Sequence, residues 1–579
     1  MLIKDFRREF YEVIAREHVL VIANVDADSV CAFKILQFLF RCDHVSYTLV
    51  PVGSLKDLHS AVSDHASQVK FCVLLNCGAF ANLVETIGSL AEETVFFILD
   101  SRRPFDLDSI YDGEKFRVLI NAEEEGELGV PVYGEIYEDD EEASASDSDQ
   151  SQEGQSGAES GDDLFASPEP KKRRRVHLAK DDRKWRENRQ RILMDYYEFA
   201  YYSYSSAVLL FELAWKLSKD NSDLFWWACI GLTSQFLERK INLATYVLRS
   251  TDLYQHLQRL NRTVQEENSE HLDRLKVVFE KDLLLSLYRS WSLFESLRHT
   301  ASTACHFKSW TFGGECKLQT FLADLGLPLT QCRQRYSAMD GNLRKEVHRA
   351  VEEKLEKYGL SDLIYVAFSA QYSFGHKVSA SDAAEAVSAA LHFGSGNSLD
   401  SNFLTAVDCL SKSRVSLLYD CMRQSRSFLK TLWSDVKALL NSGHVVPQNT
   451  FLLAQLSLGT PGWCYFSKPF GLVTLGYCLL RAFCAQKNGQ KHRNKPMIIM
   501  IPRGANGDGG DWFLVAGIAP IFTLTEGDKP MNCLGQAFQR VAQRIRCRTA
   551  HDYFDNFVIL LKAEDKDRFC NTVSGLLEV

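Results

Sequence analysis

The first third of the chain repeats one unit: a short run of β-branched and aliphatic residues, then a stretch with helical spacing. His18–Val25 (HVLVIANV) is almost continuously apolar, as a strand buried on both faces must be. Asp28–Cys42 follows, with Ala32, Ile35, Leu36 and Leu39 on one helical face. Val45–Val52 and Leu55–Ala66 repeat the pair. Lys70–Cys77 and Thr94–Ser101 (TVFFILDS) are further strands with a helix between them. Strands alternating with helices fold as a parallel sheet with right-handed crossovers. In such sheets ligands bind beyond the carboxyl ends of the strands. Asp26 and Asp28, then Asn76, then Asp100 stand at those ends.

The rest of the chain changes character. At 579 residues it exceeds one hydrophobic core, which predicts roughly two to four domains. Glu138–Asp163 has eleven acidic residues, six serines and no Lys or Arg, and is expected to be a disordered insertion. Helical patterns follow over Leu193–Leu217, Asp223–Leu248 and Leu272–Leu297, and residues 301–445 are mainly helical with a loop near Gly394–Asn397. The chain ends in a small α+β pattern. Pro496–Pro502, Trp512–Ile518 and Asn556–Lys562 read as strands, and Leu534–Ile545 and Asp565–Leu577 as helices. The expected divisions are 1–136, an α/β domain; 137–180, the acidic insertion with a basic end; 181–300, a helical block; 301–450, a mainly helical linker region; and 451–579, the α+β domain.

Composition excludes several classes. A net charge of −9 gives no overall basic footprint, so any nucleic-acid contact must come from local clusters of Lys and Arg. None of the 16 cysteines has Cys-x-x-Cys spacing, which argues against a zinc ribbon and for reduced, packed thiols. No signal peptide is evident, and no apolar run reaches the ~20 residues that span a bilayer.

The strand ends carry the chemistry. Asp26-x-Asp28 puts two carboxylates at a strand-to-helix turn, where both can face a divalent cation, although Asp28 equally suits the helix N-cap. With Leu74–Gly78 (LLNCG) and Ile98–Pro104 (ILDSRRP), the order and spacing resemble the DHH phosphoesterases, which include RecJ-type single-strand exonucleases. That resemblance implies two divalent metals activating water against phosphate, held by Asp-x-Asp, a second Asp and an Asp-His-His triplet. Here Asp26, Asp28 and Asp100 match. Asn76 replaces the second aspartate, and Ser101 and Arg102 replace the histidines. An amide carries no charge for a metal pair, and a guanidinium repels cations while pairing with carboxylates. The expectation is a site without metal or catalytic residues, its carboxylates held by Arg102 or Arg103. The rival is an active DHH-type nuclease or phosphodiesterase.

Beyond these motifs, Tyr47–Val52 (YTLVPV), Phe211–Trp215 (FELAW), Trp226–Ala228 (WWA) and Gly326–Leu329 (GLPL) are similar to the cell division control protein 45 family, in order along the whole chain. That resemblance implies a DHH-like domain, a helical insertion and a C-terminal DHHA1-like α+β domain. It implies a non-catalytic subunit of the replicative DNA helicase, with no cofactor, joining the minichromosome maintenance hexamer and the GINS complex at replication origin chromatin. It further implies contact with single-stranded DNA, proximity to DNA polymerase epsilon at the fork, and a nuclear location.

Pro170–Val176 (PKKRRRV) fits a nuclear import signal through Lys171, Lys172, Arg173, Arg174 and Arg175, a role that needs an extended, exposed segment. Pairing with the acidic tract is the alternative. Ser144, Ser146, Ser156 and Ser160 each have an acidic residue three positions on, and Ser167 precedes Pro168, so these serines suit acidophilic and proline-directed kinases. Trp226 and Trp227 point about 100° apart on a helix. Either one is a partner anchor, or both pack against the Tyr196–Tyr204 region. Lys180–Arg191 reads as a solvated basic face, and Gly504–Gly510 (GANGDGG) as a hairpin turn rather than a phosphate loop.

Overall fold

A computed structural model describes residues 1–91, 93–137, 170–266, 275–373, 376–394, 398–486, 489–503, 511–521 and 529–578. The acidic tract, the five candidate phosphoserines, most of the Gly394–Asn397 loop and Gly504–Gly510 lie outside the described residues. The chain forms two units, Met1–Asn121 with Ala200–Val579, and Ala122–Phe199.

In the first unit, strands β1 (Leu2–Ile3), β2 (Val19–Asn24), β3 (Tyr47–Val52), β4 (Phe71–Leu75), β5 (Val95–Leu99) and β7 (Phe116–Leu119) form a sheet in the order β1-β7-β5-β4-β2-β3. Every pairing in it is parallel. All six residues of β2 are buried, because helices cover both faces and leave no polar side. The helix Ala27–Cys42 packs on this sheet and is itself covered by the helices Ser206–Lys216 and Ser222–Leu237. Between β5 and β7, β6 (Arg102–Arg103) pairs antiparallel with β8 (Tyr201–Tyr202).

The expected fold class is present: a parallel α/β sheet, a helical middle and a C-terminal α+β domain. Its details differ from the hydropathy pattern in three places. Leu193–Leu217 is not one helix: β8 interrupts it, and Ser205 starts the next helix as its N-cap. Asp223–Leu248 divides into Ser222–Leu237 and Leu243–Glu266. Leu272–Leu297 contains a strand, β9 (Lys276–Leu283), before the helix Leu293–His299. β9 pairs antiparallel with β10 (Ile364–Ser373), which pairs with β11 (His376–Ser379). Val277, Val278 and Phe279 favour a pleated surface, and tertiary pairing decides between the two periods. In the mainly helical stretch, the 27-residue helix Val415–Asn441 is the longest element.

The C-terminal sheet runs β12 (Val445–Pro447), β13 (Leu452–Gln455), β14 (Met497–Arg503), β15 (Trp512–Ile518), β17 (Val558–Lys562), β16 (Thr549–Ala550). Helices Pro469–Ala485, Leu534–Ile545 and Lys566–Leu577 pack against it. Trp226 is core, its Nε1 donating to Tyr372 Oη at 2.8 Å, and Trp227 is half-buried under Lys34. Neither is an exposed anchor, and the partner of Trp226 is Tyr372 rather than the Tyr196–Tyr204 region. No helix among the described residues is long and apolar enough to cross a membrane.

In the second unit, the helix Pro170–Tyr197 packs on the short helix Tyr133–Ile136, and Arg189 Nε donates to Ile136 O at 2.7 Å. Lys171–Arg175 therefore have helical rather than extended backbone. Continuous intrahelical hydrogen bonding there follows from a run of good helix formers with no glycine.

Candidate functional site

The site grows from three strand ends of one sheet, those of β2, β4 and β5. After β2 the chain turns at Asp26, whose carboxylate accepts from Ser29 N at 2.7 Å and so caps the helix Ala27–Cys42. The cap is Asp26, not Asp28: the helix begins one residue earlier than its apolar face suggests. This frees Asp28 to point elsewhere. It lies 1% exposed against the start of the helix Ser206–Lys216. Its Oδ1 accepts from Ser205 Oγ at 2.5 Å and Ala207 N at 3.1 Å, and its Oδ2 from Ser206 N at 2.9 Å. The first N–H groups of a helix lack internal partners and carry partial positive charge, so a carboxylate there satisfies them. Burial and the neighbouring Asp26 raise the Asp28 pKa, while these three donors oppose the rise.

Asn76, at the end of β4, bridges the two aspartates. Its Nδ2 donates to Asp26 Oδ1 and Asp28 Oδ2, both at 3.2 Å. Its Oδ1 accepts from Ser206 Oγ at 2.7 Å and Ser101 N at 3.0 Å. Asn76 has a φ of 53°, a conformation that Asn tolerates better than most side chains. At the end of β5, Asp100 Oδ2 accepts from Gly78 N and Ala79 N, both at 3.0 Å, and Oδ1 from Arg102 N at 2.9 Å.

Arg102 is 3% exposed and crosses to the C-terminal sheet region. Its Nε donates to Asp555 Oδ1 at 2.7 Å and its Nη1 to Asn76 O at 2.8 Å. Nη1 lies 3.5 Å from Asp100 Oδ1, and Nη2 lies 3.8 Å from Asp26 Oδ2. Tyr202 Oη donates to Asp555 at 2.8 Å. Burial alone would raise the Asp555 pKa, but Arg102 and Lys240 outweigh it and hold that carboxylate below its ordinary value. Ser101 carries no ring nitrogen for a metal. Its backbone serves instead, Ser101 O accepting from Ser203 N at 2.7 Å. Arg103 is fully buried and donates to Asp100 O and Arg102 O, both at 2.7 Å. Of the three carboxylates, Asp26 and Asp100 face Arg102 as expected, whereas Asp28 is held by a helix start instead.

All six oxygens of Asp26, Asp28 and Asp100 thus face two protein donors each. A pair of divalent cations needs those lone pairs and would also meet a fixed guanidinium. These residues do not fit such a pair.

Ser205, Ser206 and Asp555 escape a reading of the strand-end motifs. A polar Ser203–Ser206 cluster before the apolar Ala207–Trp215 run is a helix-start signal. Nothing local marks Asp555, which stands 453 residues from Arg102. Gly231 is a further member: a Cβ there would stand 2.6 Å from Ala207 Cβ and 2.8 Å from Asp28 Oδ1.

The CDC45 family profile matches residues 19–575. This chain belongs to the CDC45 family. It is 36% identical over 585 residues to the cell division control protein 45 homolog of Homo sapiens, with 100% of both chains covered. It is also 36% identical over 591 residues to that of Mus musculus, again with 100% of both covered. Among solved structures, CDC45 from Entamoeba histolytica superposes with a TM-score of 0.69 at 20% identity, covering 100% of each chain, a likeness of fold. The CDC45 chain described here builds its strand-end network within that fold.

Asp26, Arg102, Tyr202 and Asp555 also line a cavity of about 800 Å³ that reaches Glu385. Burial pushes the Glu385 carboxyl up to about 8 from an ordinary 4.5, with Asp382 adding to the rise. Between those values the folded chain keeps a proton that the unfolded chain releases, so this group lowers stability as pH rises through that window. Glu385→Gln should stabilise the protein by ~1–3 kcal/mol at pH 8 and leave it nearly unchanged at pH 4.5. Denaturant unfolding at the two pH values measures this.

Proposed function

We propose that this chain is a non-catalytic scaffold of DNA replication, a subunit that joins the minichromosome maintenance hexamer and the GINS complex in the replicative helicase and contacts single-stranded DNA. Family membership supports the replication role. The observation that carries the non-catalytic part is the strand-end network, in which protein donors occupy every oxygen of Asp26, Asp28 and Asp100. Without a metal-activated water, the remaining roles are binding and bracing. The partners, including origin chromatin and DNA polymerase epsilon at the fork, follow from the family resemblance.

The test is native mass spectrometry of complexes recovered with the tagged full chain. Hexamer and GINS subunits should appear together, and recovery with neither contradicts the scaffold role. The same preparation should not hydrolyse single strands with manganese. Hydrolysis abolished by Asp26→Ala or Asp100→Ala would establish the DHH-type nuclease instead. In the same proposal Lys171–Arg175 direct nuclear import once the first turns of the helix Pro170–Tyr197 unwind to the extended form that role needs, and phosphorylation at Ser144, Ser146, Ser156, Ser160 or Ser167 modulates it. Unchanged nuclear accumulation after alanine replacement of the five basic residues removes that part.

A further inference from the structure

The helix Val415–Asn441 buries one side, through Leu418, Met422, Phe428, Leu432, Val436 and Leu439. The other side is exposed at Arg423, Ser427, Lys430, Ser434 and Lys437. These follow one another at intervals of four and three residues, which puts them on one stripe about 21 Å long. From Ser427 onward the stripe holds no carboxylate. Asp435 is buried, its Oδ2 accepting from Gly462 N at 2.8 Å. Asp420 pairs with Arg423 at 2.8 Å, but both are well exposed, and such a pair contributes little.

Beside the stripe the positive charge is crowded rather than neutralised. Arg426 is half-buried, and its Nη1 donates to Ser290 O at 2.5 Å. Burial lowers its pKa, and Arg335 and Arg423 lower it further as neighbouring like charges. Among the described residues, Arg335, Arg426 and Lys430 make no ion pair. Like charges gathered on a protein of net charge −9 cost stability unless an anion joins them.

We infer that this stripe binds the phosphodiester backbone of single-stranded nucleic acid. It rests on the single-strand contact proposed above and gives that contact a place. Cations about 10.5 Å apart along the ridge neutralise phosphates along the strand, though not every one. The hydroxyls of Ser427 and Ser434 between them donate to phosphate oxygens. This combination suits a polymer of regularly spaced phosphates better than an acidic peptide, whose carboxylates vary in spacing. The stripe carries no base-reading pattern, so binding is expected to be indifferent to sequence.

The experiment is fluorescence anisotropy of a labelled oligothymidylate with the full chain across a salt series. The triple variant Arg423→Glu, Lys430→Glu, Lys437→Glu is compared with a charge-matched control, Lys345→Glu, Arg349→Glu, Lys354→Glu. Circular dichroism and thermal unfolding check that both fold like the parent. The ridge variant should bind at least about tenfold more weakly, with a log–log salt slope shallower by about 2, from ~0.7 per lost phosphate contact. The control should stay within about twofold of the parent. If the parent binds and the ridge variant binds equally well, the ridge assignment is wrong while the single-strand contact stands. If the parent does not bind at all, both fall. If polyglutamate displaces the oligonucleotide at equal charge concentration, the ridge is an acidic-peptide surface and the inference is overturned.

Discussion

Arg102→Met should destabilise the folded protein by ~3–5 kcal/mol, because it removes one member of a buried ionic network and leaves the others in place. The methionine fills similar volume, so packing is largely kept and the loss is electrostatic. Asp100 retains backbone donors from Gly78 and Ala79, whereas Asp555 keeps only Tyr202 among its close hydrogen-bond partners here. The loss has a pH signature. Asp555 is held below its ordinary pKa in the folded chain, chiefly by Arg102 against the effect of burial. That stabilisation is complete above the ordinary carboxylate range and fades as pH falls through the depressed value. The gap between parent and variant should therefore be widest at neutral pH and narrow toward pH 3. Urea unfolding at several pH values reads it. Asp555→Asn in both backgrounds completes a double-mutant cycle, and a coupling near zero would remove Arg102 from the role of brace between the two sheets.

Asn76→Asp should be comparably damaging, although it restores the residue type of the DHH motif. The amide donates to both Asp26 and Asp28 at 3.2 Å, and those two bonds become contacts between carboxylates. Three buried carboxylates cannot all ionise at that spacing, so one takes a proton or the cluster loosens. We expect a loss of ~3–5 kcal/mol at pH 7, smaller at pH 4–5, where a proton is easily supplied. The backbone is not the cause, since Asp adopts positive φ nearly as readily as Asn. Manganese should neither restore the stability nor induce hydrolysis of single strands, because Arg102 and the helix start at Ser205 still occupy the oxygens. Thermal unfolding with and without manganese is the measurement. Rescue by the ion would mean that one substitution is enough to rebuild a metal centre.

Much of this was legible in the sequence, and the reasons for the exceptions are physical. The strands β2, β4 and β5 and the C-terminal β14, β15 and β17 declare themselves because burial on both faces demands unbroken apolar runs. Asp26, Asn76, Asp100 and Arg102 follow from standing just past those runs. The partner of Asp28 did not, because Tyr and Ser residues around 201–206 interrupt a helical pattern without breaking its hydropathy. The only local signal was the serine cluster preceding Ala207. The cap reading of Asp28 differs from the observed cap, Asp26, by two residues, which hydropathy does not resolve when two aspartates are available. β9 reads as helix in the sequence because its eight residues alternate irregularly between buried and exposed, and pairing with β10 fixes it as a strand. Asp555 illustrates the general limit: a contact across the whole chain leaves no trace in either neighbourhood.

We propose that protein donors hold Asp26, Asp28 and Asp100 in place of a metal pair, and the metal content and metal response of the purified full chain test this most directly. After dialysis against a chelator and re-addition of manganese, elemental analysis should find no stoichiometric metal, and the unfolding temperature should be the same in chelator and in manganese. One or two equivalents of bound manganese, with an unfolding temperature raised by the ion and no longer raised after Asp26→Ala, would contradict it.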